Sequence, residues 1–469
     1  MDLGTIFFSF TLGLFVISGS EQILNLKNVK VIQIGDRMEK VIVYPGAGLN
    51  GEISIPSSKP HIQRALLLAL LNERTTKIVN ISWNTETENL LRALKQFGLK
   101  VLEETDTTIL LRGMGWDLDV NGEINAEGSG MLFRTCSALA ALTNDVVRIK
   151  CNESLFSRES LFDDAFCSLL NISLIRIGRN LVEVRRKQHN EQLPLTTKNS
   201  TQFISFALFV SPFLDNKVIP VCDKDVGAGY IAMTIQSMEM LGSSVIHTPG
   251  QLKVTEYAPR DITINIPSDF TSLSYVASSI LSIIRESQVK IVNYHHGGTI
   301  NEEHLFKIYN NFGLSLEHDL KLNELILTRR PSMPLHTEIS LKELPSAAAN
   351  IIAATSNLGG HLIFNGVTGI NNHKCQRAFV ISENIRRMGG TSSLIFNSIG
   401  VFEKIYIGGG EQLSGGIELH SYGDHRVCAS NVIAALGATQ ASTIHGVNKL
   451  NDGFPGFIET LKRLGPNIQ

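Results

Sequence analysis

Residues 58–71 read SKPHIQRALLLALL, and from Ala65 onward every position is apolar. A helix that is apolar all round must be buried on every side. Five further segments have the same texture, a polar or glycine-bearing start running into small apolar residues. They are SGMLFRTCSALAAL (129–142), STQFISFALFVSP (200–212), SDFTSLSYVASSIL (268–281), PSAAANIIAATSNL (345–358) and GDHRVCASNVIAAL (423–436). They recur about every 70 residues, too long for a solenoid repeat and the size of a small α/β module.

Working outward from these helices, each is followed by a β-rich stretch: TTKIVNI, DVVRIKC, NKVIPVC, SQVKIVN, GHLIFNGV and STIHGV. An amphipathic helix that faces solvent comes next, often closed by glycine, as in ENLLRALKQFG (88–98), YIAMTIQSMEMLG (230–242) and EHLFKIYNNFG (303–313). Apolar residues keep helical spacing there, and the glycine stands where a C′ residue belongs. Each unit is thus strand, helix, strand, helix and one or two more strands. Three buried helices ringed by sheets make one domain, so six units make two. The opening strand VIVYPGAG (41–48) has no helix of its own and completes the domain of the last three units. The expected division is 56–266 for the first domain and 38–55 plus 267–469 for the second.

The chain has 469 residues, 43% hydrophobic and 18% charged, with net charge −2. That excludes a disordered chain and any global field that would draw in nucleic acid or an acidic membrane. Cys136, Cys151, Cys167, Cys222, Cys375 and Cys428 are scattered without a CxxC pair, which suits a reduced cytoplasmic protein with neither a disulfide framework nor a metal site. The apolar run TIFFSFTLGLFVIS (5–18) is shorter than the roughly 20 residues a membrane span needs, and Asp2 precedes it where a signal peptide would carry Lys or Arg. Residues 1–37 are read as an extension outside the fold.

Several buried helices open on Ser58–Lys59, Ser129, Ser200–Thr201–Gln202, Asp269–Thr271 or Asp424–His425–Arg426. Taken singly, such residues are N-caps. Taken together, converging helix N-termini form an anion trap. Arg64, one turn into an apolar helix, requires either a buried salt bridge or an anionic ligand.

These residues carry a resemblance. LNGEISIPSSKPHIQRALLLALL (49–71) resembles the opening signature of 5-enolpyruvylshikimate-3-phosphate (EPSP) synthases. NSTQFISFALFVSP resembles that family's Ser-Ser-Gln segment, YGDHRVCASNVIAAL its Asp-His-Arg motif, and DGFPGFIETLKRLG its closing Phe-Pro stretch. The similarity runs from about Lys40 to Gly465. It implies two inside-out α/β domains, each of three βαβαββ-type repeats. It also implies an enolpyruvyl (carboxyvinyl) transferase, moving the enolpyruvyl group of phosphoenolpyruvate to a hydroxyl of shikimate 3-phosphate or a related acceptor, with phosphate release. No cofactor is implied, and the partners are small anionic substrates bound to a monomer.

By resemblance, Lys59 is the lysine shared by both substrates and Arg64 reaches the shikimate ring. Arg158 and Arg426 hold phosphoenolpyruvate, and Ser200, Thr201, Gln202 and Tyr230 surround the acceptor and its phosphate. Lys374 matches the lysine of the family's Lys-Glu-X-Asp-Arg motif, and Arg377 its arginine once one residue is deleted. The acid–base positions differ: Ser346 stands where the family has aspartate, Cys375 where it has glutamate, and Asp452 where it has a phosphoenolpyruvate lysine. Pro60 replaces a serine and removes a backbone donor. Gly128–Met131 and Gly227–Gly229 depart from the pattern as well. Glu343 and Asp424 are the carboxylates left to move protons. The alternative is a diverged anion-binding paralogue without turnover. A UDP-N-acetylglucosamine enolpyruvyl transferase is a weaker third reading, because no cysteine lies in a matching Gly/Pro-rich loop.

Overall fold

A computed structural model of the chain describes residues 39–189, 191–197, 200–222, 229–330, 335–371, 375–409 and 412–469. All six apolar segments are helical: Lys59–Leu71 (α1), Gly130–Leu139 (α2), Thr201–Val210 (α3), Phe270–Ser282 (α4), Ala348–Thr355 (α5) and His425–Leu436 (α6). In α1 everything from Ala65 to Leu71 is buried, and in α6 everything from Val427 to Leu436. α5 starts later than its repeat suggests. Pro345, Ser346 and Ala347 form a turn instead, with the Leu344 carbonyl accepting from the amides of Ala347 and Ala348.

Among the described residues the strands form six small sheets. Four share one plan, a parallel pair extended by two antiparallel strands. The parallel pairs are Thr75–Val79 with Ile262–Asn265, Glu123–Glu127 with Val147–Cys151, Gln288–Ile291 with Asn50–Ile53, and Leu335–Ser340 with Gly360–Asn365. In the last sheet Ser442–His445 lies parallel to Glu418–His420 and antiparallel to Lys40–Val43.

α4, α5 and α6 pack against one another, as do α2 and α3. The helix Gly229–Glu239 lies against both α1 and α3 and buries Ile231, Met233, Thr234, Ser237 and Met238. It is therefore more enclosed than an amphipathic cover helix. The outer helix Thr85–Gln96 fits the surface pattern, with Leu90, Leu91, Ala93 and Leu94 buried and Asn84 closing a capping box with Thr87.

The apolar side chains make two separate cores. One runs from Ile62 to Ile266; the other joins Val43–Ile53 to Phe270–Ile468, with Met233 reaching into it. The chain passes between them twice, side by side. Ser58 N donates to Pro267 O at 2.7 Å, Asp269 N donates to Pro56 O at 2.9 Å, and Ser57 pairs with Ser268. Asp269 Oδ1 caps α4, accepting from the amides of Thr271 at 2.6 Å and Ser272 at 3.0 Å. Its other oxygen accepts from Lys59 N at 3.3 Å, the first amide of α1. One buried carboxylate thus serves the N-termini of two helices from different cores.

Replacing Asp269 by Ala removes a cap and leaves amides of two helices without an acceptor. A cost of about 2–4 kcal/mol is expected in equilibrium urea unfolding. A change below ~0.5 kcal/mol would show that the crossover stands without this carboxylate.

Candidate functional site

The N-terminal ends of the central helices meet through side chains rather than through a single bound group. In the first core, Arg134 from α2 donates Nη1 to Gln202 Oε1 of α3 at 2.7 Å and Nη2 to the Ser160 carbonyl at 2.6 Å. It lies over the Phe203 ring, 4.7 Å from the centroid. Burial and the nearby charge of Arg158 bring its guanidinium down to about 10, against the attraction of Asp163. Ser200 accepts from Gln202 N at 3.2 Å and so caps α3. Thr201 opens that helix, half-buried. Arg158 is half-buried, and no described side chain pairs with its guanidinium.

Arg64 of α1 makes no ion pair among the described residues. Nε donates to Thr234 Oγ1 at 2.9 Å, Nη1 to the Pro60 carbonyl at 3.0 Å and Nη2 to the Tyr230 carbonyl at 2.9 Å. Burial lowers it to about 10. An interior cation held only by neutral acceptors keeps its charge uncompensated, which favours an anion nearby.

Tyr230 carries the network across to the second core. Its hydroxyl shares a 2.6 Å hydrogen bond with Ser346 Oγ, and Arg426 of α6 donates Nη1 to the Ser346 carbonyl. Just before Tyr230, Gly229 sits at φ +60°, and a Cβ there would stand 3.3 Å from Glu343 Oε2. Glycine satisfies both the left-handed backbone and the close approach. Lys59 also bridges: Nζ lies 2.8 Å from Glu86 Oε2 and donates to the Asp452 carbonyl at 3.2 Å. Gly453 makes room beside it, since a Cβ would come within 2.6 Å of His425 Cδ2.

Arg377 donates Nε to Asp424 Oδ2 at 2.9 Å, and its Nη2 stands 2.8 Å from the same oxygen in a buried ion pair. The other oxygen of Asp424 caps α6 through the amides of Arg426 and Val427. Burial works against the charged form of Asp424, but Arg377, His425 and Arg426 outweigh it and hold the carboxyl well below the usual range. Asp424 therefore stays ionised near neutral pH. Glu343 is the remaining carboxylate at the Tyr230–Ser346 junction; its backbone carbonyl accepts from Asn301 Nδ2. Ser346 itself has a phenol for a partner and no base. Cys375 is half-buried, and Lys374 lies outside the described residues, as do Gly227 and Ala228.

Sequence reasoning did not assign roles to Arg134, Asp269 and His425. Arg134 carried the same signal as Arg64, an arginine one turn into an apolar helix. His425 is half-buried with its Nδ1 cut off from solvent and unpaired, and desolvation with the charges of Arg426 and Lys59 holds it well below the usual imidazole range.

The EPSP synthase (3-phosphoshikimate 1-carboxyvinyltransferase) family model matches residues 43–461. Similar proteins include the 3-phosphoshikimate 1-carboxyvinyltransferase of Nitrosopumilus maritimus, 25% identical over 437 residues, covering 90% of this chain and 97% of that protein. That of Methanothermobacter thermautotrophicus is 23% identical over 433 residues, covering 90% and 98%. In fold, the chain is similar to the EPSP synthase of Acinetobacter baumannii at 17% identity, with TM-score 0.72 over 92% of this chain and 99% of that one. It is also similar to the enolpyruvyl transferase NikO of Streptomyces tendae at 13% identity, with TM-score 0.65 over 92% and 98%. The α/β architecture of enolpyruvyl transferases is thereby established for this chain.

Burial near cations leaves His61 at about 3, lowered first by desolvation and then by Arg64, and its Nδ1 lies 2.8 Å from Ser58 Oγ. The unfolded chain takes up a proton at this histidine near pH 6.5 while the folded chain stays neutral. Its stability contribution is therefore complete above that pH and is lost as pH falls toward 3. Between pH 6 and 4.5, unfolding free energy should fall with acid, and His61→Gln should reduce the slope by up to about 1.4 kcal/mol per pH unit. An unchanged slope in the variant would show that His61 is solvated.

Proposed function

Because the chain belongs to the EPSP synthase family, a family of carboxyvinyl transferases, we propose that it binds phosphoenolpyruvate together with shikimate 3-phosphate or a closely related acceptor, and transfers the enolpyruvyl group slowly. One observation carries this reading: Arg64, Arg134, Arg158 and Arg426 carry no ion pair to a described carboxylate, and Arg64 and Arg426 reach the same Tyr230–Ser346 junction from two cores. Such a set suits ligands bearing two phosphates and a carboxylate. Arg158 and Arg426 with Lys59 take phosphoenolpyruvate; Arg64, Ser200, Thr201, Gln202 and Tyr230 take the acceptor. Lys374 is assigned beside them by resemblance alone. The substrates lie between bodies 56–266 and 38–55 plus 267–469 of a cytoplasmic monomer. No described helix is long and apolar enough to cross a membrane.

Transfer needs a base to take the proton of the attacking hydroxyl and an acid to protonate the methylene carbon as C2 gains its new C–O bond. Loss of phosphate from the tetrahedral adduct, with one proton of its new methyl group returned to a base, then regenerates the enol ether. Ser346 cannot serve as that base while its hydroxyl is bonded to Tyr230. Glu343, beside Gly229, is the carboxylate this reading assigns to proton transfer, and removing a positioned proton-transfer group costs about 10²- to 10⁴-fold. The same Tyr230–Ser346 bond favours the second reading, a protein that holds these anions without turning them over.

Phosphate release from phosphoenolpyruvate plus shikimate 3-phosphate is expected to be very slow for the native chain. Ser346→Asp, Cys375→Glu and Asp452→Lys together should raise it by about 100-fold, with little gain from any one alone. Efficient native turnover would show that other residues have taken over proton transfer. A triple variant that binds both ligands and stays inert favours the binding protein.

Binding itself is checked by calorimetry. Arg158→Ala and Gln202→Ala should weaken phosphoenolpyruvate and acceptor affinity respectively by about 10- to 100-fold, the worth of a charge-assisted hydrogen bond. If both variants bind as the native chain does, the cleft lies elsewhere.

A further inference from the structure

The strand that leads into α6 carries a second cluster of chemistry on its outer face. Glu418 and His420 are two residues apart, so they share one face of Glu418–His420. The parallel neighbour Ser442–His445 places His445 directly opposite His420. The two imidazole rings stack with centroids 4.6 Å apart and planes 16° apart. One donor atom from each of Glu418, His420 and His445 lies within 4.8 Å of the others, and among the described residues this is the only such trio.

His445 Nε2 supplies an independent observation. It is cut off from solvent, makes no hydrogen bond, and stands 3.4 Å from Glu418 Oε2. A ring nitrogen shielded from solvent, with a carboxylate oxygen 3.4 Å away and no hydrogen bond between them, suits a cation shared by the two. The backbone around the cluster is fixed. Ser421 N donates to the His445 carbonyl at 3.1 Å, and Asn431 Nδ2 of α6 donates to the His420 carbonyl at 3.1 Å.

We propose that Glu418, His420 and His445 bind one divalent transition-metal cation, zinc in the first instance. Two imidazoles and one carboxylate match zinc's preference for nitrogen and oxygen donors, with the fourth tetrahedral position left to water. Donors around tetrahedral zinc lie roughly 3.3 Å apart, so the side chains need only small rotamer adjustments. Lys40, opposite His445 on the antiparallel strand, and Arg387, which donates to the Glu418 carbonyl at 2.9 Å, are positive neighbours that moderate the affinity. The ion fastens two strand ends immediately before Asp424 and the N-terminus of α6. It is a clamp on the scaffold that presents Arg426, and it is independent of whether the neighbouring cleft turns over.

The test titrates zinc into the chelator-stripped full chain by calorimetry, with thermal melting in parallel. One equivalent should bind and raise the melting temperature by a few degrees at saturation. His420→Ala and His445→Ala should each weaken binding by at least about 10- to 100-fold. Glu418→Gln, a change at an exposed side chain that leaves packing intact, should weaken it and abolish the thermal shift. Cobalt should give a tetrahedral visible spectrum without a thiolate charge-transfer band, which separates this site from Cys222. No stoichiometric binding by the native chain, a thiolate band, or full binding by a folded His420→Ala/His445→Ala double variant would each overturn the proposal.

Discussion

One carboxylate, that of Asp269, holds together the arrangement on which everything else rests. It accepts from two amides of α4 and from the first amide of α1, where the chain passes between its two cores. Helix N-termini repel one another because each carries partial positive charge. A buried anion between them turns that repulsion into attraction and fixes the angle at which the cores meet. The paired backbone bonds of Pro56, Ser58, Pro267 and Asp269 keep the crossing from twisting.

With that angle set, the remaining helix ends sort into two kinds of electrostatic environment. Asp424 and Arg377 neutralise each other inside the second core, so that pair stabilises and orients α6. Arg134 is buried and Arg64 half-buried against carbonyls, a hydroxyl and an amide, none of which cancels their charge. A compensated cation gains little from a phosphate, whereas an uncompensated one gains both the attraction and relief from its burial cost.

Around the Tyr230–Ser346 junction, cations outnumber groups able to move a proton. The serine at the junction is engaged by Tyr230, and the aspartate that caps α6 is too strongly held in its charged form to act as an acid. Glu343 stands beside Gly229, next to that junction.

The sequence by itself determined the six central helices, the strand that follows each and the polar residues at their starts. An all-apolar segment tolerates only a buried environment, and a serine or aspartate before it has a local backbone donor to satisfy. It also exposed the broken acid–base positions, because those are matters of residue type. Only the tertiary structure decided which side chains meet: Arg377 with Asp424 across 47 residues, Tyr230 with Ser346 across 116, and Lys59 with Asp452 across 393. It also brought His445 beside Glu418 and His420. Periodicity records what lies beside a residue on its own element, whereas these partnerships depend on the angle between elements, which packing of the two cores sets.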